Sequence, residues 1–130
     1  MTKLKQIYKC EVCGNIVEVL HAGKGTLVCC GQDMVLQKEQ SKGEYAEKHA
    51  PVLEKNNKGL SVNIGKVNHP MEQEHYIEWI EIIGENGKNY SRKFLKPNQK
   101  PHADFPITEK TKIKKARMYC NVHGLWISEK

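Results

Sequence analysis

The chain has 130 residues, 38% of them hydrophobic, and a formal net charge of +6. That length suits one ordinary domain, or one small domain joined to a β-domain of about ninety residues. No run of about 18 apolar residues exists to span a membrane, and the opening "MTKLKQIYK" lacks the apolar stretch of a secretory signal. The expected compartment is the reducing cytoplasm, where clustered cysteines serve more often as metal ligands or redox groups than as disulfides.

In chain order, the first 36 residues read as a small metal-stapled unit. "CEVCG" leads into the alternating strand "NIVEVL", the Gly-rich turn "AGKG" follows, and "TLVCCG" closes the unit. So short a segment buries too little apolar surface to fold without a cross-link or metal. The polar run at 37–44 reads as a linker. Beyond it the pattern is strands. "GLSVNIGK" alternates Leu60, Val62 and Ile64 with small or polar residues, the period of a half-buried strand. "HYIEWIEIIG" is β-rich, Asn86-Gly87 signals a hairpin turn, and "NYSRKFL" alternates again. A proline-containing connection, "KPNQKPHADFP", precedes "TKIKKARMYC" and "GLWISEK". Short strands, regular turns and no helix longer than a turn predict an antiparallel β-sandwich.

Basic charge gathers late in the chain. Residues 88–117 hold ten Lys or Arg (Lys88, Arg92, Lys93, Lys96, Lys100, Lys110, Lys112, Lys114, Lys115, Arg117) against Asp104 and Glu109. Such a face suits an anionic partner, whether nucleic acid, acidic protein or small anion. Any one of these lysines reads equally well as a solvated strand residue.

Four of the five cysteines form two close pairs, Cys10 with Cys13 and Cys29 with Cys30. A C-x-x-C knuckle turns two sulfurs towards one ion, and a second pair completes a tetrahedron. Adjacent residues of an extended chain point to opposite sides, so Cys29 and Cys30 share a metal only if the backbone bends between them. Four sulfurs suit zinc or iron alike. The fifth cysteine, Cys120, precedes His123 by three residues in "CNVHG", one turn that can present a thiolate and an imidazole to one ion. Of the six histidines, His49 in "EYAEKHAPV" and His69 and His75 in "NHPMEQEH" also stand in marked settings, the latter two on a short loop before a strand. A sandwich gathers its loops at its ends, which allows these positions to converge. The pattern alone leaves a second metal site and ordinary core or surface histidines both open.

"CEVCG…CCG", "EKHAPV", "HPM…H" and "CNVHGLW", in this order and spacing, resemble desulfoferrodoxin, the two-iron class of superoxide reductase, along the whole chain. The resemblance implies a mainly β protein with two domains. Residues 1–37 would be a rubredoxin- or desulforedoxin-like domain holding one iron through Cys10, Cys13, Cys29 and Cys30. Residues 38–130 would be an immunoglobulin-like antiparallel β-sandwich holding a catalytic iron. For that iron it implies His49, His69, His75 and His123 as equatorial ligands, with Cys120 axial. Glu47 and Lys48 match the catalytic pair beside the metal, Lys48 steering superoxide and Glu47 capping the open position once iron is ferric. His21 and His102 match no ligand motif and read as structural. The resemblance also implies a homodimer and a rubredoxin-type electron donor, with neither nucleic acid nor membrane as partner.

The chemistry agrees with the implied ligands. Five protein donors exceed the usual zinc set, whereas they suit iron with one face open. Neutral imidazoles leave the metal charge intact, and a single thiolate removes one unit while donating electron density, as the cysteine ligand does in P450 haems. A positive centre with an open position suits one-electron reduction of superoxide to hydrogen peroxide. A zinc-ribbon nucleic-acid binder explains the four early cysteines and the charge but leaves the histidine motifs as coincidences. A passive rubredoxin-like electron carrier leaves the second site without a task.

Overall fold

The computed structural model describes residues 1–67, 69–87, 90–107 and 111–128. Lys88, Glu109 and Lys110 of the basic run lie outside the described residues. The chain divides into two compact units, Met1–Lys38 and Glu39–Lys130. No helix among the described residues is long and apolar enough to cross a membrane.

The first unit is built from short strands. β1 (Ile7–Lys9) lies between β2 (Ile16–Glu18) and β5 (Val35–Leu36), and β3 (Val28–Cys29) pairs with β4 (Gln32–Asp33). Its buried apolar residues are few: Ile7, Cys10 and Val19. That thin core fits the expectation that the unit needs a cross-link or a metal.

The second unit opens with a single helical turn, α1 (Ala46–His49). Ala50 precedes a proline and is extended, at φ −67° and ψ 125°, which ends the helix and starts β6 (Pro51–Asn56). Seven antiparallel strands follow the pattern of an immunoglobulin-like sandwich. A three-stranded sheet has the order β10-β7-β6, with β7 at Gly59–Ile64 and β10 at His102–Phe105. A four-stranded sheet has the order β12-β11-β8-β9, with β8 at Ile77–Gly84, β9 at Tyr90–Phe94, β11 at Ile113–Cys120 and β12 at Gly124–Ile127. The alternating residues Leu60, Val62 and Ile64 of β7 face Ile80, Ile82, Ala116 and Met118 across the core. Cys120 and Trp126 belong to that same core.

Three segments depart from the sequence reading. The proline-containing connection holds a strand: β10 pairs with β7 from His102↔Asn63 to Phe105↔Leu60. Pro101 and Pro106 flank that strand instead of interrupting it, so no ladder bond is lost. Residues 51–56 form β6 at the sheet edge, with Pro51 at the first position. The linker is also more than a spacer. Gln40 bridges Trp126, and Glu39 joins Lys115 at 2.7 Å and Arg117 at 3.0 Å. Arg117 is paired in turn with the fully buried Glu81, which also meets Arg92.

Candidate metal centres

In the first unit, Cys10, Cys13, Cys29 and Cys30 offer sulfurs that all lie within 4.8 Å of one another. The knuckle forms because Gly14, at φ +86°, lets its N–H reach the Cys10 carbonyl at 2.9 Å, while the Cys13 N–H donates to Cys10 Sγ at 3.4 Å. The bend required between the adjacent pair is present. Cys29 pairs with Gln32, and Cys30 and Gly31 are the two turn residues, at φ +52° and +77°. Positive φ at both central positions is the hairpin turn whose twist matches its strands. For a non-glycine residue such as Cys30 it is a strained conformation. Cys13 and Cys29 sulfurs come to 3.6 Å and those of Cys29 and Cys30 to 3.9 Å. The backbone N–H of Cys13 lowers the Cys10 thiol to about 6. Hydrogen bonding to Cys13, then to Cys29 and Cys10, pushes Cys30 up to about 12. The Cys10 thiolate is favoured while Cys29 and Cys30 resist ionising beside it, a conflict that a thiophilic cation removes. None of the five cysteines is in a disulfide.

The second cluster lies at one end of the sandwich. His49 closes α1, His69 and His75 lie before β8, and Cys120 and His123 flank the turn between β11 and β12. A register shift between Tyr119 and Cys120, whose partners on β8 are Trp79 and Ile77, sets the aim of the Cys120 side chain. Asn121 ties the turn to the histidine loop: its side chain accepts from the Tyr76 N–H at 2.9 Å and donates to the Glu74 carbonyl at 3.0 Å.

Ligand atoms of His49, His69, His75 and Cys120 all lie within 4.8 Å of one another. His123 is outside that tight set. Its ring centroid is 4.8 Å from that of His49 and 5.1 Å from that of His75. His49 Nδ1 meets the Tyr45 carbonyl at 2.8 Å and His69 Nδ1 meets the Pro70 carbonyl at 2.6 Å. A carbonyl only accepts, so both rings carry their proton on Nδ1. Their Nε2 atoms, 2.9 Å apart, then turn bare lone pairs towards each other. This is the tautomer that backbone carbonyls impose on metal-bound imidazoles. Nε2 of His75 and Nδ1 of His123 are buried without a hydrogen-bond partner. Four nitrogens and a sulfur thus form one donor set whose chemistry fits a single cation.

Burial keeps the imidazoles in the neutral state a metal needs and works against ionisation of the thiol. Desolvation lowers His69 to about 4 and lowers His49 and His75 as well, so all three imidazoles are neutral near pH 7. Burial raises the Cys120 thiol, opposed by the N–H groups of His123 and Val122. A bound cation would ionise it.

Glu47 and Lys48 are exposed on α1, directly before the buried His49. The positive charge of Lys48 reaches the cluster, where it helps to lower His49 and His75. The helical turn is pinned from behind. Lys66 N–H donates to the Glu47 carbonyl at 2.8 Å and Gly65 N–H to the Ala50 carbonyl at 3.0 Å. Gly65, at φ +75°, lies so close that a Cβ there would be 2.7 Å from the Lys48 carbonyl carbon.

Sequence reasoning missed three supporting residues. Trp126 stacks on His49 at 5.0 Å and donates from Nε1 to the His123 carbonyl at 3.1 Å. Gln40 donates to that carbonyl at 2.8 Å. Tyr45 lies over His123 with ring centroids 4.2 Å apart. Trp126 and Tyr45 left a trace in the sequence, at the end of "CNVHGLW" and within "EYAEKHAPV". His102 bonds Asn63 and Asp104, a structural role.

Desulfoferrodoxin models match both parts of the chain, the N-terminal domain at residues 2–37 and the main domain at residues 41–129. The chain is 54% identical over 129 residues to the desulfoferrodoxin of Syntrophotalea carbinolica, covering 99% of each. It is 53% identical over 124 residues to that of Nitratidesulfovibrio vulgaris, covering 95% of each. The crystal structure of the superoxide reductase from Treponema pallidum superposes with a TM-score of 0.76 at 26% identity, over 95% of this chain and 96% of that one. With one sulfur cluster and one nitrogen-sulfur cluster falling in the two matched parts, the chain belongs to the desulfoferrodoxin family.

Proposed function

We propose that the protein is a superoxide reductase carrying two irons, one held by Cys10, Cys13, Cys29 and Cys30 and one by His49, His69, His75, His123 and Cys120. The observation that carries this reading is the facing pair of bare Nε2 atoms on His49 and His69, beside the buried Cys120 sulfur. When bound, ferrous iron at the second centre supplies the one electron that, with two protons, takes superoxide to hydrogen peroxide. The neutral imidazoles hold the ion without cancelling its charge, and Cys120 contributes a single thiolate. Lys48 draws the anion towards the cluster by its charge. Glu47 is the proposed capping carboxylate of the oxidised site.

In this reading residues 1–37 form the four-cysteine domain and residues 38–130 the catalytic sandwich. The protein acts in the cytoplasm as a homodimer and takes its electron from a rubredoxin-type donor, which the basic stretch at 93–115 helps to dock. Neither nucleic acid nor membrane is among its partners. Protein purified from iron-replete cells should contain two irons per chain and consume superoxide rapidly under a reductant. One zinc per chain, with the histidine cluster empty and no superoxide consumption, would overturn the reading.

A further inference from the structure

The imidazoles of the second cluster are held in different ways. His49 and His69 are each locked by a backbone carbonyl on Nδ1. The backbone of His123 is fixed by Gln40 and Trp126, which both donate to its carbonyl. Its ring is not. Nδ1 of His123 is the buried, unpartnered nitrogen left to face the cation, so a bond that fixes the ring belongs on Nε2, and no described residue supplies one there. A ligating histidine ordinarily relies on such a second bond to fix its rotation.

What lies against the His123 ring is Tyr45. The two centroids are 4.2 Å apart and the planes are tilted by 31°. Tyr45 occupies the N-cap of α1, yet its side chain makes no capping bond. The ring is instead turned onto the cluster, and the residue as a whole stays 45% exposed. Its edge also meets His49 at 6.1 Å, and its carbonyl is the acceptor that fixes the His49 tautomer. One residue therefore touches two imidazoles, one through its backbone and the other through its ring.

We infer that Tyr45 is a positioning residue for the second centre, whose ring holds the His123 imidazole in its ligating orientation where no protein group bonds Nε2. This rests on the two-iron reading above. Stacking restricts ring rotation through contact area and the quadrupoles of the two rings, so the phenol hydroxyl is not required. The carbonyl bond to His49 belongs to the backbone and survives side-chain substitution.

The test compares the full-length wild type with Tyr45→Phe and Tyr45→Ala. The iron-loaded proteins are challenged with a chelator, and iron loss is followed separately at the two centres by their spectra. The metal-free proteins are examined by NMR at the His123 ring protons. Tyr45→Phe should match the wild type. Tyr45→Ala should release the second iron about 10- to 100-fold faster, the range for removing a partner that orients a ligand, and leave the four-cysteine centre unchanged. Its metal-free His123 signals should lose the Tyr45 ring-current shift and show a rotationally averaged imidazole. Unchanged release and an ordered His123 ring in Tyr45→Ala would overturn the proposal. So would equal losses in Tyr45→Phe and Tyr45→Ala, or faster release at both centres. Should the wild type hold no second iron, the function reading falls, while the NMR comparison still judges the role of Tyr45.

Discussion

The backbone N–H of His123 donates to Cys120 Sγ at 3.4 Å, and the backbone N–H of Cys13 donates to Cys10 Sγ at the same distance. Each centre thus contains a turn in which the residue three positions on stabilises a sulfur. In C-x-x-C the fourth position supplies a second thiolate, and in "CNVH" it supplies an imidazole. The difference in side chain separates a site closed by four sulfurs from one dominated by nitrogen.

Cys120→Ser tests the sulfur of the second centre. A hydroxyl of similar size replaces an electron-donating thiolate, so the thiolate-to-iron charge-transfer band should disappear from the oxidised protein. The potential should rise and superoxide reduction should collapse in protein that still retains some iron. An unchanged spectrum with near-normal rates would make Cys120 a core residue and nothing more.

Cys13→Ser removes one of four sulfurs from a cluster that has no spare ligand. The first centre should be lost, as read by its visible absorption and by iron content falling from two to one per chain. None of the residues in the second cluster precedes His49, so that iron and its direct reaction with superoxide should persist. Loss of the fast reaction with the second iron still bound would contradict a site that works by itself.

Lys48→Ile and Glu47→Ala separate two neighbouring exposed side chains. Loss of the Lys48 charge, which reaches His49 and His75, should slow the encounter with superoxide roughly tenfold and flatten its dependence on ionic strength. Glu47→Ala should leave that encounter nearly intact and change mainly the spectrum of the oxidised resting site. Pulse radiolysis across a salt series distinguishes them, and equal effects on the first step would refute the division of roles.

Glu39→Gln probes the linker's ion pairs. Burial raises the Glu39 carboxyl, but hydrogen bonds and charge from Lys115 and Arg117 outweigh it and hold the group below its ordinary 4.5. A carboxylate lowered in the folded state stabilises the protein above its unfolded pKa, and that stability is lost as pH falls through the folded value. The variant should therefore unfold more easily than wild type at pH 7, by about 1–3 kcal/mol, and the gap should narrow as pH drops below 4.5. Denaturant midpoints of both proteins across pH 3–7 would show it. A gap independent of pH would mean that the substitution acts through packing.

β7 was legible from the chain alone because a half-buried strand repeats every two residues, β8 from its β-rich composition and β9 from its alternation after the Asn86-Gly87 turn. The bend at Cys29-Cys30 was also legible, since two adjacent side chains meet one ion only if the backbone bends between them; its form, a positive φ at Cys30, was not. β10 was not: its flanking prolines read as a loop, and only pairing with β7 makes 102–105 a strand. The metal clusters divide in the same way. The four early cysteines lie within about twenty residues of each other, and a local turn chemistry brings them together. His49, His69 with His75, and Cys120 with His123 come from three separate segments, and no local interaction relates one segment to another. The sandwich core places those segments at one end, the register shift at Cys120 aims its sulfur, and the carbonyls of Tyr45 and Pro70 choose which nitrogen each of His49 and His69 presents. Residue identity determined which donors the protein owns. Only the packed tertiary structure decided their directions and their burial, because hydrogen-bond acceptors and desolvating neighbours come from parts of the chain that sequence spacing does not relate.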